Sequence, residues 1–263
     1  MSEQEILEKG KENKAKLLAS NFRQQTLPWW RPNSTIVGTL IIFIIFGIIF
    51  LSLGIILVLI ASSIKEAKVT YHDQWTNMGT CTVTLQVKEK MSQPIHVYYE
   101  LENFYQNHRR FVKSTSSSQL AGSVLSVDKL SSWDPIRTIK DLGFNKMLNN
   151  ETLDDDQPAN PCGLVARSFF NDTYKLFLEA EQIDIDEKGI AWKSDRDDLF
   201  KRPDNHEAIQ WIDVKNEHFI VWMRTAGFPT FKKPWGKIER DLEPGNYTLI
   251  IENNYNVDSF DGK

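Results

Sequence analysis

One uncharged run constrains this chain more than any other feature. Residues 36–64 hold 29 positions without a single Asp, Glu, Lys or Arg, and 22 of them are apolar. As a helix, Ile36 to Ile60 rises about 37 Å against a hydrocarbon core of about 30 Å, so it spans a bilayer with some tilt. A buried core helix of that length needs a far larger protein around it. A cleavable signal peptide fits poorly, because the preceding tail is long and the apolar stretch exceeds the usual about 7–15 residues. The first expectation is therefore a transmembrane helix over residues 36–64.

The span separates a tail, residues 1–35, from a large domain, residues 65–263. The tail carries six Lys/Arg against four Glu, and the domain 25 basic against 31 acidic side chains. Basic excess on the tail side favours a cytosolic tail and a luminal or extracellular domain. N-x-S/T triplets at Asn150, Asn171 and Asn246 agree with that address as glycosylation candidates, while a fourth, at Asn33, precedes the span. With a net charge of −4 the chain lacks the concentrated basic face that nonspecific nucleic-acid binding requires. Gly47 and Gly54 lie on roughly one helix face, where they either admit a neighbouring helix or merely reflect the frequency of glycine in membrane helices. In the tail, Glu3 to Leu18 is helix-friendly. Leu27-Pro28-Trp29-Trp30-Arg31-Pro32 then breaks any helix and suits either a membrane interface or a partner's cytosolic face.

The domain reads as mixed α+β with a strand bias. Thr82 to Val87 alternates polar and apolar side chains, as a half-buried strand does. Ile95–Leu101, Phe219–Met223 and Tyr247–Ile251 are further β-branched and aromatic runs, the last led in by the turn Glu243-Pro244-Gly245-Asn246. Leu164 to Ala180 has helical spacing, and residues 123–160 look loop-rich. The fold expected is a membrane-anchored α+β chain: one N-terminal transmembrane helix, then a sandwich-like domain of antiparallel strands with helical insertions.

No catalytic signature is present: no H-E-x-x-H, no G-x-S-x-G, no phosphate-binding G-x-x-x-x-G-K-[ST]. The five histidines never fall three or four positions apart, so local spacing supports no metal site and no cofactor is expected. Asp154-Asp155-Asp156 and Asp195/Asp197/Asp198 lack the pattern of a calcium loop and read as solvated charge. Cys81 and Cys162 are candidates for one disulfide, or two separate thiols; sequence leaves the pairing open.

Five blocks, in order after one membrane helix, give a more specific reading. They are Asn103-Phe104-Tyr105-Gln106-Asn107-His108-Arg109-Arg110-Phe111-Val112-Lys113-Ser114; Pro161-Cys162-Gly163 with Phe170-Asn171-Asp172-Thr173; Gly189-Ile190-Ala191-Trp192; Phe219-Ile220-Val221-Trp222-Met223-Arg224-Thr225-Ala226; and Asn254-Tyr255 with Ser259-Phe260-Asp261-Gly262. In these the chain resembles the cell division control protein 50 family, accessory β-subunits of the type-IV P-type ATPases that flip phospholipids. The resemblance implies a non-enzymatic subunit that binds such an ATPase amid membrane lipids, carries it out of the endoplasmic reticulum towards the Golgi apparatus and plasma membrane, and supports lipid translocation and asymmetry. The D-K-T-G-T phosphorylation motif of the pump itself is absent. The family's second membrane helix would lie beyond Lys263, and the cysteines that usually partner Cys81 and Cys162 in the family are missing. Of the sequons, Asn171 matches a family glycosylation place. In the tail, Thr26 stands where the family tends to have a basic residue.

The partner-contact candidates are Phe104, Tyr105, His108, Arg109, Arg110, Trp222 and Arg224, since mixed aromatic and arginine content suits an interface hot spot. Two other classes compete: a one-span surface receptor or adhesion module, which would bind a soluble ligand, and a membrane-anchored glycan-processing enzyme, which would need an acidic metal or carboxylate site.

Overall fold

The computed structural model describes residues 3–28, 35–72 and 79–263, so the Trp29–Pro32 break and the Asn33 sequon lie outside the described residues. The chain divides into two compact units, residues 1–64 and 65–263. The first holds α1 (Glu3–Ala19), exposed over residues 4–19, and α2 (Ile36–Ser62). Thr35 caps α2 by accepting the Gly38 N–H at 3.1 Å. Among the described residues α2 is the one helix long and apolar enough to cross a membrane, and no part of it is buried.

The second unit is built on two antiparallel sheets. Strands β1 (Gly79–Val87), β3 (Thr173–Leu178), β4 (Glu181–Ile183) and β6 (Gly245–Asn253) form one in the order β1-β6-β3-β4, and β2 (Ile95–Leu101) pairs with β5 (Phe231–Ile238) in the other. The alternation read from the sequence of β1 is real. Cys81, Val83 and Val87 turn inward while Thr80, Thr82 and Thr84 face water. The two sheets share a core in which Val87, Leu176, Ile183 and Tyr247 of the larger meet Ile238 of the smaller, a sandwich-like arrangement.

Short helices fill the connections: α3 (Arg109–Lys113), α4 (Ser117–Leu120), α5 (Ile139–Leu142), α6 (Leu164–Arg167), α7 (His206–Ile209) and α8 (Glu217–Met223). Two expectations are corrected here. Phe219–Met223 is not a strand but the body of α8, started by Asn216, whose side chain accepts the N–H groups of His218 and Phe219 at 2.9 and 3.3 Å. The segment Leu164 to Ala180 is not one helix either: α6 stops at Arg167, and β3 takes over at Thr173. Gly163 opens α6 at φ +98°, with the Ser114 carbonyl lying where a Cβ would stand, so the Pro-Cys-Gly block needs its glycine.

Both ends of the second unit are tied down at one carboxylate. Residues 65–72 run as a strap: Ala67, Val69 and Tyr71 pack inward, while Glu66 pairs with Lys232 at 2.5 Å and Lys68 with Glu100 at 2.6 Å. Tyr71 donates its hydroxyl to buried Asp172 at 2.6 Å. The other oxygen of Asp172 accepts the N–H groups of Asn254 and Tyr255, each at 2.7 Å, just past β6. Burial pushes the Asp172 carboxyl up from its ordinary range, while those hydrogen bonds pull it back.

Candidate partner interface

The Asn103–Ser114 block folds into a turn followed by α3. Asn103 takes φ 61°, and its amide donates to the carbonyls of Phe260 and Asp261 at 2.8 and 3.2 Å. Gln106 is fully buried and its Oε1 accepts the Ala226 N–H at 2.8 Å. Asn107 donates to the Gly227 carbonyl at 2.9 Å, and the Phe104 N–H to that of Pro229 at 3.0 Å. These bonds fasten the 103–108 turn to the loop after α8. The half-buried Phe104 ring lies beneath it, edge-on to Phe111 and Phe260 and tilted against Trp222. Above that base Tyr105, His108, Arg109 and Arg110 are exposed, beside a ring the sequence reading passed over, Phe228, which is 76% exposed.

Trp222, a contact candidate, is corrected to core: it is 0% exposed and its Nε1–H donates to the Val165 carbonyl at 2.7 Å. A side chain enclosed on every face cannot touch a partner. Its neighbour Arg224 does reach the surface. The guanidinium donates to both oxygens of Asp195, at 2.5 and 2.9 Å, and lies 4.7 Å from the ring centroid of Trp192, itself 66% exposed. Asp195 is thus not solvated loop charge. It is buried, and the Arg224 hydrogen bonds and charge hold its carboxyl below the ordinary range despite burial. The residue that sequence reasoning missed is Trp192; it stood inside a recognised block, but nothing local marks it as solvent-facing. Asp195→Asn is expected to free the guanidinium from the indole while shifting stability by about 1 kcal/mol or less, because Arg224 remains solvated. Indole fluorescence, read against a thermal melt, checks this.

Behind this surface Lys233 is buried and donates to the carbonyls of Val221, Trp222 and Arg224 at 3.0, 3.0 and 2.6 Å, closing the C-terminal end of α8. No carboxylate pairs with it among the described residues, and burial pushes its ammonium down to about 7. Cys81 and Cys162 are free, buried thiols in separate apolar clusters, and burial raises both, Cys162 to about 12. Among the described residues no three His, Cys, Asp or Glu side chains gather as metal ligands. Of the sequons, Asn150 sits exposed in a turn at φ 66°, Asn171 is exposed two residues before β3, and Asn246 is exposed on β6 opposite Gln86.

Residues 61–263 match the model of the LEM3 (ligand-effect modulator 3) family, also called the CDC50 family. The chain belongs to this family. Among CDC50-family relatives, ALA-interacting subunit 3 of Arabidopsis thaliana is 37% identical over 277 residues, covering 93% of this chain and 74% of the relative. Cell cycle control protein 50A of Mus musculus is 35% identical over 292 residues, covering 92% and 76%. Cell cycle control protein 50C of the same species is 32% identical over 290 residues, covering 92% and 80%. The family match takes in all five blocks, so the 103–114 turn, Gly163, Trp192, α8 and the segment bonded to Asp172 all lie within the matched residues.

Proposed function

We propose that this chain is the non-catalytic accessory subunit of a type-IV P-type ATPase that translocates phospholipids. On this reading α2 anchors it in the bilayer, residues 1–35 are cytosolic and residues 65–263 are luminal or extracellular. It accompanies the pump from the endoplasmic reticulum through the Golgi apparatus to the plasma membrane, stabilises it, and so sustains lipid asymmetry. Its exposed sequons, Asn171 first, are glycosylated on the way. The observation that carries the reading is the family match, joined to relatives named as ALA-interacting subunits. The physical features agree with it. An apolar 27-residue helix precedes a β-rich unit whose exposed turn presents Tyr105, His108, Arg109 and Arg110, with Arg224 held nearby.

The experiment is purification of the tagged chain from its own membranes in mild detergent, with co-purifying proteins identified by mass spectrometry. A P-type ATPase in near-stoichiometric amount is expected, and deleting either chain should retain the other in the endoplasmic reticulum. A tagged chain that reaches the surface alone, with no ATPase attached, overturns the reading in favour of a receptor or adhesion module.

A further inference from the structure

The second unit carries eight arginines, and six of them are already engaged. Arg137, Arg196, Arg202, Arg224 and Arg240 each meet a carboxylate at 2.5 to 3.1 Å. Arg167 donates to the Leu142 carbonyl at 2.8 Å and lies over the Phe144 ring. Arg109 and Arg110 alone have neither an ion pair nor a ring contact among the described residues. They stand side by side on α3 with Lys113 one turn on, an arrangement of like charges that costs a few tenths of a kcal/mol in an isolated helix. This happens in a unit with 31 acidic side chains to 25 basic ones, where carboxylates are in surplus. The base beneath is held: the turn leading into α3 is bonded to the 226–229 loop by Phe104, Gln106 and Asn107. That bonding also sets two exposed rings, Tyr105 and Phe228, in the neighbouring turn and loop. A cationic pair flanked by exposed aromatic rings on a fixed support has the makeup of an interface hot spot awaiting its counter-charge.

We infer that Arg109 and Arg110, with Tyr105 and Phe228 beside them, dock an acidic loop of the partner ATPase. The inference rests on the accessory-subunit reading and adds the chemistry of one contact. Arg224 plays a different part there, since Asp195 already neutralises it.

The test compares the full-length chain, its Arg109→Glu/Arg110→Glu double variant and a control double variant, Lys129→Glu/Lys188→Glu, each purified from the native membrane. ATPase recovery is measured per accessory chain, at low and at raised salt. The inference expects wild-type and control chains to recover the pump equally and the arginine variant to recover at least about tenfold less, with the wild-type association weakening as salt rises. An unchanged thermal melt shows that the variant is folded; if it does not fold, Arg109→Gln/Arg110→Gln keeps the bulk and asks the same question. Equal recovery by the arginine variant overturns the docking inference and leaves the accessory-subunit reading standing. No ATPase with the wild-type chain overturns the reading itself. Vesicles containing phosphatidylserine supply the remaining comparison. Binding that the arginine variant loses while ATPase recovery stays equal assigns the pair to lipid, and also overturns the inference.

Discussion

Replacing Trp222 with Ala is expected to lower the unfolding free energy of the second unit by about 4 kcal/mol, within the range for removing a large buried aromatic. Three losses combine. The indole is fully enclosed, so its removal leaves a cavity among Phe104, Phe231 and Tyr255, whose rings surround it. The Val165 carbonyl at the start of α6 loses the shorter of its two hydrogen bonds and keeps that of the Ser168 hydroxyl. The Lys233 ammonium, 5.3 Å from the ring centroid, loses a cation–π partner. Trp222→Phe keeps part of the volume and should cost roughly half as much. By contrast, Trp192→Ala removes an indole that stands in water and should move stability by less than about 0.5 kcal/mol. Thermal and urea melts of the three variants, run side by side, check the ordering. A Trp222→Ala melt as mild as that of Trp192→Ala would refute the core assignment.

The second large effect is on pH. Lys233 holds a proton to about pH 10 in the unfolded chain, but burial lets the folded chain release it near 7. Between those values the unfolded state binds more protons, so stability climbs with pH, by at most about 1.4 kcal/mol per unit. Below 7 both states are protonated and the contribution is flat. From about pH 8.5 the sign turns: burial holds the thiols of Cys81 and Cys162, and higher up the hydroxyls of Tyr71, Tyr99, Tyr174 and Tyr255, above their ordinary ranges, so the unfolded state loses those protons first. Stability should therefore crest between about pH 8 and 9. Lys233→Met abolishes the climb and leaves the alkaline fall. Urea midpoints at half-unit steps from pH 6 to 11 measure both limbs, and a wild-type profile flat between 7 and 8 would rule out this account of Lys233.

How much of this was legible in the sequence depended on how local the cause was. The membrane-length helix and the alternation of β1 declare themselves in contiguous residues, because a bilayer imposes a long uncharged run and a half-buried strand a period of two. The block Phe219–Met223 misled for the same reason. All of Phe219, Ile220, Val221 and Trp222 are buried, so the apolar face that marks a surface helix is erased, and β-branching then favours a strand. The cue that decides it, Asn216 in the capping position, stands just outside the run. Asp195 looked like loose charge because its partner stands 29 residues later in the chain. The exposure of Trp192 and Phe228 depends on what packs beneath them and carries no local sign. The family resemblance was legible because it lies in the order of several blocks, each too short to speak alone.

Asp172 has one more consequence. Because a single carboxylate grips Tyr71 on one side and Asn254 and Tyr255 on the other, with His72 and Asp258 3.5 Å apart alongside, the second unit is topologically almost a ring. A short bridge across that gap would make the ring continuous, and an exposed turn such as Asp154–Asp156 could then serve as its new beginning. Tension applied along the segment arriving from α2 would fall first on the strap's ion pairs, Glu66 with Lys232 of β5 and Lys68 with Glu100 of β2, and only afterwards on the Asp172 knot.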